Sequence, residues 1–300
     1  MIVVAGPSEG SLEFARGLSK NLGADLVVTE SKRFPDGETY VRVDAEPGDL
    51  AVVVQTFSRP QDTSFMQALL LGDALAGLGF PSVVLVAPYV AYARQDKRFL
   101  RGEPISIAVV LRSLGLAGYK WLYTVEIHKE ESLAAFPGKA VSISPFRFMA
   151  EKAGLDGSYV YLAPDIGALR RAESLARALG ARYDYLVKRR DRVTGEISIE
   201  TKHLDVSGER VVIVDDIIST GGTVSRAAQL LLEQGAKEVI VLVAHAVLAG
   251  NALERLRGAG VKAVIAGNTL PPVRDSLVRY IDLSPLTAES IKSTIQGVLG

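Results

Sequence analysis

The sequence predicts an α/β protein of two domains, each a mostly parallel sheet flanked by helices. Three observations predict it. Short runs of β-branched residues alternate with amphipathic stretches, the pattern of strands covered on both faces by helices. The strand candidates are too many for one ordinary sheet. Finally, DLAVVVQTF, a helix and GFPSVVLVAPYVAYAR in the first half match ERVVIVDDI, a helix and GAKEVIVLVAHAVLAG in the second. The two segments have similar internal spacing, which reads as a duplication, with two unrelated α/β units as the alternative.

Taken in order, the predicted strands are Ile2–Ala5, Ala51–Thr56, Ser82–Ala87, Trp121–Val125, Tyr159–Ala163, Tyr183–Lys188, Arg210–Val214, Glu238–Ala246, Lys262–Ala266 and Val278–Asp282. Most are near-continuous apolar runs rich in Val and Ile, as buried strands require. Amphipathic stretches between them predict helices at Asp62–Leu78, Ile105–Leu114, Gly167–Leu179, Thr223–Gln234 and Asn251–Arg257. The expected domains are 1–143 and 144–300, joined in the Phe136–Phe146 region. The last predicted helix, Ala288–Val298, is a candidate to cross back onto the first domain.

Composition narrows the function class. Lys plus Arg and Asp plus Glu are 34 each, so no global field favours nucleic acid, and any anion site must be built locally. No apolar run reaches the ~18 residues that span a bilayer. The opening MIVVAGPSEG lacks the basic region of a signal peptide, so a cytoplasmic protein without a membrane partner is expected. The absence of cysteine removes disulfides, thiolate chemistry and Cys-ligated metals.

The most informative segment is VVIVDDIISTGGT, Val211 to Thr223. A buried strand ends in Asp215 and Asp216, and Ser219, Thr220, Gly221, Gly222 and Thr223 then open a helix. Backbone N–H groups, hydroxyls and glycines at a helix start suit a phosphate. Two carboxylates beside it suit sugar hydroxyls or a metal, because they would repel the phosphate itself. The expected ligand is a phosphorylated sugar. A plain helix cap is the bland alternative, yet a cap needs one such residue and not five.

Other motifs are weaker alone. FPDGE, with Phe34, Asp36, Gly37 and Glu38, reads as a hairpin turn. RQDKRFLRGEPI, from Arg94 and Gln95 onward, is a basic loop after a strand, where ligands of parallel sheets bind; a solvated loop is the alternative. His128 follows the strand Trp121–Val125, and a lone His is usually structural. Asp165 in LAPDIG is a metal candidate or a helix cap. VKRRD, with Lys188 and Arg190, starts a polar stretch that reads as a flap or a solvated hairpin.

Together and in this order, FPDGE, RQDK with GEPI, the strand-end His, APDIG, KRR, DDIISTGGT, AHAVLAG and GNTLP resemble the ribose-phosphate diphosphokinases, the phosphoribosyl diphosphate synthetases. The resemblance spans nearly the whole chain. It implies two type I phosphoribosyltransferase-like domains, a nucleotide side and a ribose 5-phosphate side. It also implies transfer of the diphosphoryl group of ATP to the C1 hydroxyl of ribose 5-phosphate, for nucleotide biosynthesis. Such a transfer needs charge neutralisation and in-line placement more than covalent help, and Mg²⁺ supplies much of it.

By the same resemblance, Lys188 and Arg190 are catalytic, with Arg190 also on the ribose phosphate. Phe34, Asp36, Gly37, Glu38, Arg94 and Gln95 bind ATP, the hairpin reaching it from a neighbouring subunit. Asp215, Asp216 and Ser219 to Thr223 bind ribose 5-phosphate, and His128 and Asp165 bind Mg²⁺. The implied assembly is a homodimer or larger. One departure matters: many bacterial and animal relatives carry Asp where this chain has Ser219, and the Ser form resembles the archaeal branch. A phosphoribosyltransferase would explain DDIISTGGT but not FPDGE, RQDK or the duplicate. A non-catalytic regulatory subunit is expected to lose positions that are present here.

Overall fold

The computed structural model describes residues 1–190, 197–201 and 205–295, with the side chains of 1–187 and 205–294. The chain forms two compact units. Unit 1 comprises Met1–Ser144, Asn268–Pro272 and Asp282–Gly300, and unit 2 comprises Pro145–Gly267 and Val273–Ile281.

Unit 1 runs β1 (Ile2–Ala5), α1 (Ser11–Leu22), β2 (Asp25–Val28), β3 (Glu30–Arg33), β4 (Thr39–Arg42), β5 (Ala51–Val54), α2 (Gln61–Gly77), β6 (Val83–Ala87), α3 (Ser106–Leu116), β7 (Trp121–Val125) and β8 (Lys139–Ile143). Its six-stranded sheet has the order β2-β1-β5-β6-β7-β8, every pair parallel. All residues of β5, β6 and β7 are buried, which is why these three strands read as unbroken apolar runs. Leu71 and Leu75 of α2 and Ile107, Leu111 and Leu114 of α3 close the core. Their spacing is that of one helical face. The strands β3 and β4 form a separate antiparallel hairpin.

Unit 2 runs α4 (Phe146–Ala153), β9 (Val160–Ala163), α5 (Leu169–Leu179), β10 (Arg182–Arg190), β11 (Ile197–Thr201), β12 (Arg210–Ile218), α6 (Gly222–Glu233), β13 (Glu238–Ala246), α7 (Ala252–Gly258), β14 (Ala263–Gly267) and β15 (Val278–Ile281). Its sheet has the order β11-β10-β9-β12-β13-β14-β15. Only the β10–β11 pair is antiparallel. Arg182 to Tyr185 of β10 pair with β9, and Leu186 to Arg190 pair with β11, so the far half of β10 belongs to an antiparallel arm. The core joins Leu162, Ile213, Val241 and Val264 of the sheet to Ala228, Leu231 and Leu256 of the helices.

The last helix, α8 (Ser284–Ile295), belongs to unit 1 and packs on α1. Gly17 of α1 permits it, since a Cβ there would stand 2.1 Å from Ser284 Oγ. Lys292 Nζ donates to Asn21 O at 2.7 Å. The helix starts four residues before the predicted Ala288, and residues 296–300 lie outside the described part.

Other differences from the sequence reading have local causes. The strand β12 continues through both carboxylates to Ile218 rather than stopping at Val214, because β13 keeps pairing with it as far as Ile218↔Ala246. The helix expected from Gly167 opens with a short 3-10 turn, Ile166–Ala168, and α5 begins at Leu169. The strands β2 and β8 escaped the sequence reading, whereas β3 and β4 are the arms of the hairpin that FPDGE announces, and β11 pairs antiparallel with β10 as the hairpin alternative for VKRRD expects. All four residues of β3 are exposed, so no apolar pattern marks it.

Candidate active site

Most candidate residues follow the carboxyl end of a parallel strand, the place where open α/β sheets bind ligands. After β12 comes the loop Ser219 to Thr223, then α6. Gly221 caps α6 at φ 76, a left-handed conformation that glycine adopts without strain. The cap residue is a glycine, and among the described residues no side chain caps this helix start, which leaves the N–H groups of its first turn for a ligand. Thr220, Gly222 and Thr223 are exposed, with Gly221 buried beneath them. The AHAVLAG segment supports the loop from behind. Val247 N and Leu248 N donate to Ile218 O at 3.0 and 3.1 Å, and Ala249 N donates to Ser219 O at 2.9 Å. Leu248 holds φ 47 to do so, a strained conformation for a branched side chain.

The two carboxylates behind the loop differ. Asp216 is 4% exposed, and its Oδ2 lies 3.6 Å from Arg171 Nη2 of α5. Asp215 is partly buried and accepts a hydrogen bond from Asp216 N at 2.9 Å. Burial, and then the charge of Asp216, push the Asp215 carboxyl up to about 8. A carboxylate so disfavoured alone is favoured by a cation or by donor hydroxyls. The pairing of Arg171 with β12 depends on packing that no local sequence pattern encodes.

Asp165 is a helix cap. Its Oδ1 accepts from Gly167 N at 2.8 Å and Ala168 N at 3.2 Å. His128 follows β7 in unit 1 and is partly buried, two residues after Glu126, which holds φ 36. Asp165 belongs to unit 2. Among the described residues, no three His, Asp or Glu side chains converge as a metal cage.

The basic loop after β6 is organised by Glu103, which the sequence reading passed over within GEPI. Its Oε2 accepts from Phe99 N at 2.7 Å and Leu100 N at 2.9 Å. Gln95 Nε2 approaches the same oxygen at 3.4 Å, and Arg98 Nε donates to Glu103 O at 3.0 Å. The Leu100 and Phe99 N–H groups hold the Glu103 carboxyl below its ordinary value. Arg94 is exposed beside Gln95.

In the β3–β4 hairpin, Phe34 N donates to Glu38 O at 2.8 Å, and Asp36 Oδ1 accepts from Glu38 N at 3.2 Å. Gly37 stands at φ 99. The exposed rings of Phe34 and Tyr40 meet edge-to-face at 6.1 Å, with Lys32 Nζ 5.0 Å from each centroid. Lys188 and Arg190 stand in β10 opposite Ile199 and Ile197, and their side chains lie outside the described residues. Residues 191–196 and 202–204 of the expected flap also lie outside them.

Among the described residues, no helix is long and apolar enough to cross a membrane. A domain model described as the N-terminal domain of ribose phosphate pyrophosphokinase matches residues 1–118. A phosphoribosyl transferase domain model matches residues 155–265. The ribose-phosphate pyrophosphokinase of Aeropyrum pernix is 44% identical over 302 residues, covering 99% of this chain and 98% of its own. The chain belongs to the ribose-phosphate pyrophosphokinase family.

The pyrophosphokinase of Saccharolobus solfataricus is 41% identical over 295 residues, covering 97% of this chain and 100% of its own. These relatives agree with the archaeal likeness read from Ser219. A crystal structure of phosphoribosylpyrophosphate synthetase from Mycobacterium smegmatis superposes with a TM-score of 0.88 at 29% identity, covering 99% of each chain. The chain is therefore a ribose-phosphate pyrophosphokinase with phosphoribosyltransferase-like folds. It moves the diphosphoryl group of ATP to the C1 hydroxyl of ribose 5-phosphate, in the service of nucleotide biosynthesis.

Proposed function

We propose that unit 2 carries the ribose 5-phosphate and unit 1 the nucleotide of this pyrophosphokinase. Ser219, Thr220, Gly221, Gly222 and Thr223 cradle the 5-phosphate, and Asp215 takes the ribose hydroxyls, directly or through Mg²⁺, with Asp216 behind it. One observation carries the reading. The start of α6, which no side chain caps among the described residues, follows directly on the strand that carries the partly buried Asp215, a combination that a phosphate with attached hydroxyls satisfies and a bare anion does not. Arg94 and Gln95, on the loop that Glu103 braces, hold the ATP phosphates. Phe34, Asp36, Gly37 and Glu38 reach the adenine of a neighbouring subunit in a homodimer or larger assembly. Lys188 and Arg190 stabilise the charge on the transferring group.

The donor set fits Mg²⁺. That ion is commonly held by one or two carboxylates together with substrate phosphates and water, and Asp215 and Asp165 are carboxylates of that kind in unit 2. Asp165 and His128 are proposed as its further contacts. When bound, Mg²⁺ neutralises phosphate charge. The residues of this chain hold the sugar hydroxyls and orient the phosphates.

Thr223→Val tests the sugar side. It removes a hydroxyl from the cradle while keeping the side-chain shape. We expect a higher KM for ribose 5-phosphate, by roughly ten-fold for one lost charge-assisted bond, and an unchanged KM for ATP. Equal losses for both substrates would contradict the assignment.

A further inference from the structure

We propose that Arg171 is a positioning residue of the sugar site: it takes Asp216 as its buried counter-ion and leaves Asp215 as the one carboxylate of the pair that meets the ribose hydroxyls. This rests on the sugar-site reading above and deepens it. The first observation is the pair itself. Arg171 Nη2 and Asp216 Oδ2 are 3.6 Å apart, with side chains only 13% and 5% exposed. Charges that dry must be paired, because breaking the pair strands an uncompensated buried charge. Asp216 is thus held by the protein's own cation.

The second observation is the contrast with its neighbour. Asp215 is the less covered of two consecutive residues in β12. It stands just before the strand's end at Ile218 and the phosphate loop that follows. The third is what else Arg171 reaches. Its Nη1 lies 3.5 Å from Gly167 O, in the turn whose N–H groups are gathered by Asp165. The strands β9 and β12 are neighbours in the sheet. One planar guanidinium therefore lies between the carboxylate strand, with which it is ion-paired, and the Asp165 turn, to which it donates, and a flexible ammonium would not keep both at fixed spacing.

The experiment uses the full chain with Arg171→Met, Asp216→Asn, the double variant, Arg171→Lys and Asp215→Asn. Thermal unfolding is measured without substrates, and kcat and both KM values are measured with them. We expect each single change at 171 or 216 to lower Tm and to raise KM for ribose 5-phosphate roughly ten-fold, leaving KM for ATP unchanged. The double variant should regain most of both losses, since neither charge is then left alone. Arg171→Lys should regain part of the Tm but not the KM, because it restores charge and not the fork. If Arg171→Met does not fold, a folded double variant reports the same coupling.

Losses in KM that add in the double variant would overturn the proposal, because Asp216 would then contact the sugar itself. So would full recovery of KM by Arg171→Lys. A normal ribose 5-phosphate KM in Asp215→Asn would overturn the sugar-site reading, and the proposal with it. The Tm coupling of 171 with 216, read without substrate, keeps the two failures distinguishable.

Discussion

Asp215 follows buried aliphatic residues in β12 and is followed at once by a second carboxylate, so its charge is disfavoured by the fold that positions it. Its pKa rises from 3.8 to about 8 on folding. Between those values the native protein holds a proton that the unfolded chain releases. Stability is therefore highest below about pH 4 as far as this group is concerned, and falls as pH rises towards 8. We expect Asp215→Asn to raise Tm at pH 8 and to flatten the dependence of Tm on pH across that window, while ribose 5-phosphate binding is lost. An unchanged slope in thermal unfolding would show that Asp215 is already compensated. Lys188 belongs to the same scale. Lys188→Ala should lower kcat by ~100-fold or more with ribose 5-phosphate binding nearly intact, because a charge acting on the transferring group matters in the transition state. Isothermal titration beside steady-state kinetics separates the two. Weakened binding with normal turnover would make Lys188 a ground-state contact.

At the scale of elements, strand ends and the loops after them carry the chemistry, and single carboxylates set loop shape. Glu103 gathers the N–H groups of Phe99 and Leu100 and braces Gln95. Glu103→Ala should release that loop and raise KM for ATP several-fold, because the Phe99 and Leu100 N–H groups lose their charged acceptor, with KM for ribose 5-phosphate unaffected. Steady-state kinetics in both substrates decides it; a change confined to ribose 5-phosphate would remove the loop from the nucleotide side. The DDIISTGGT element was legible because every part of it is contiguous: strand, carboxylates, glycine turn and helix start. The roles of AHAVLAG and GNTLP were not. AHAVLAG acts through backbone bonds beneath Ser219. In GNTLP, Asn268 bonds Asp282 and Leu283, and Thr269 O accepts from Thr56 Oγ1 at 2.6 Å. Their partners are remote in sequence, so spacing cannot announce them.

For the molecule as a whole, the hairpin that presents Phe34 and Tyr40 to solvent stands outside the six-stranded sheet of unit 1. Exposed aromatic rings on a separate ribbon suit contact with a second copy, and closed two-fold symmetry would then build two equal sites. Asp36→Ala and Lys188→Ala, each inactive alone, should restore activity when co-expressed, through one intact composite site per hybrid dimer. Purified hybrids that stay inactive would place both residues in one chain's site. Sedimentation at assay concentration gives an independent check, since a fully active monomer defeats the arrangement.

By itself, the sequence determined what is written in consecutive residues. Buried strands announce themselves by unbroken Val and Ile, helices by their apolar period, and the phosphate loop by glycines and hydroxyls that no ordinary cap needs. The strand β3, exposed throughout, and β4, alternately half-buried and exposed, were marked chiefly by the turn signal Asp36-Gly37 between them. Tertiary structure alone decided which of two adjacent carboxylates takes Arg171, which backbone supports Ser219, and that α8 packs on α1 at the opposite end of the chain. The physical reason is the range of the forces. Propensity and periodicity act within a few residues, whereas an ion pair or a helix contact exists only once packing has brought distant segments together.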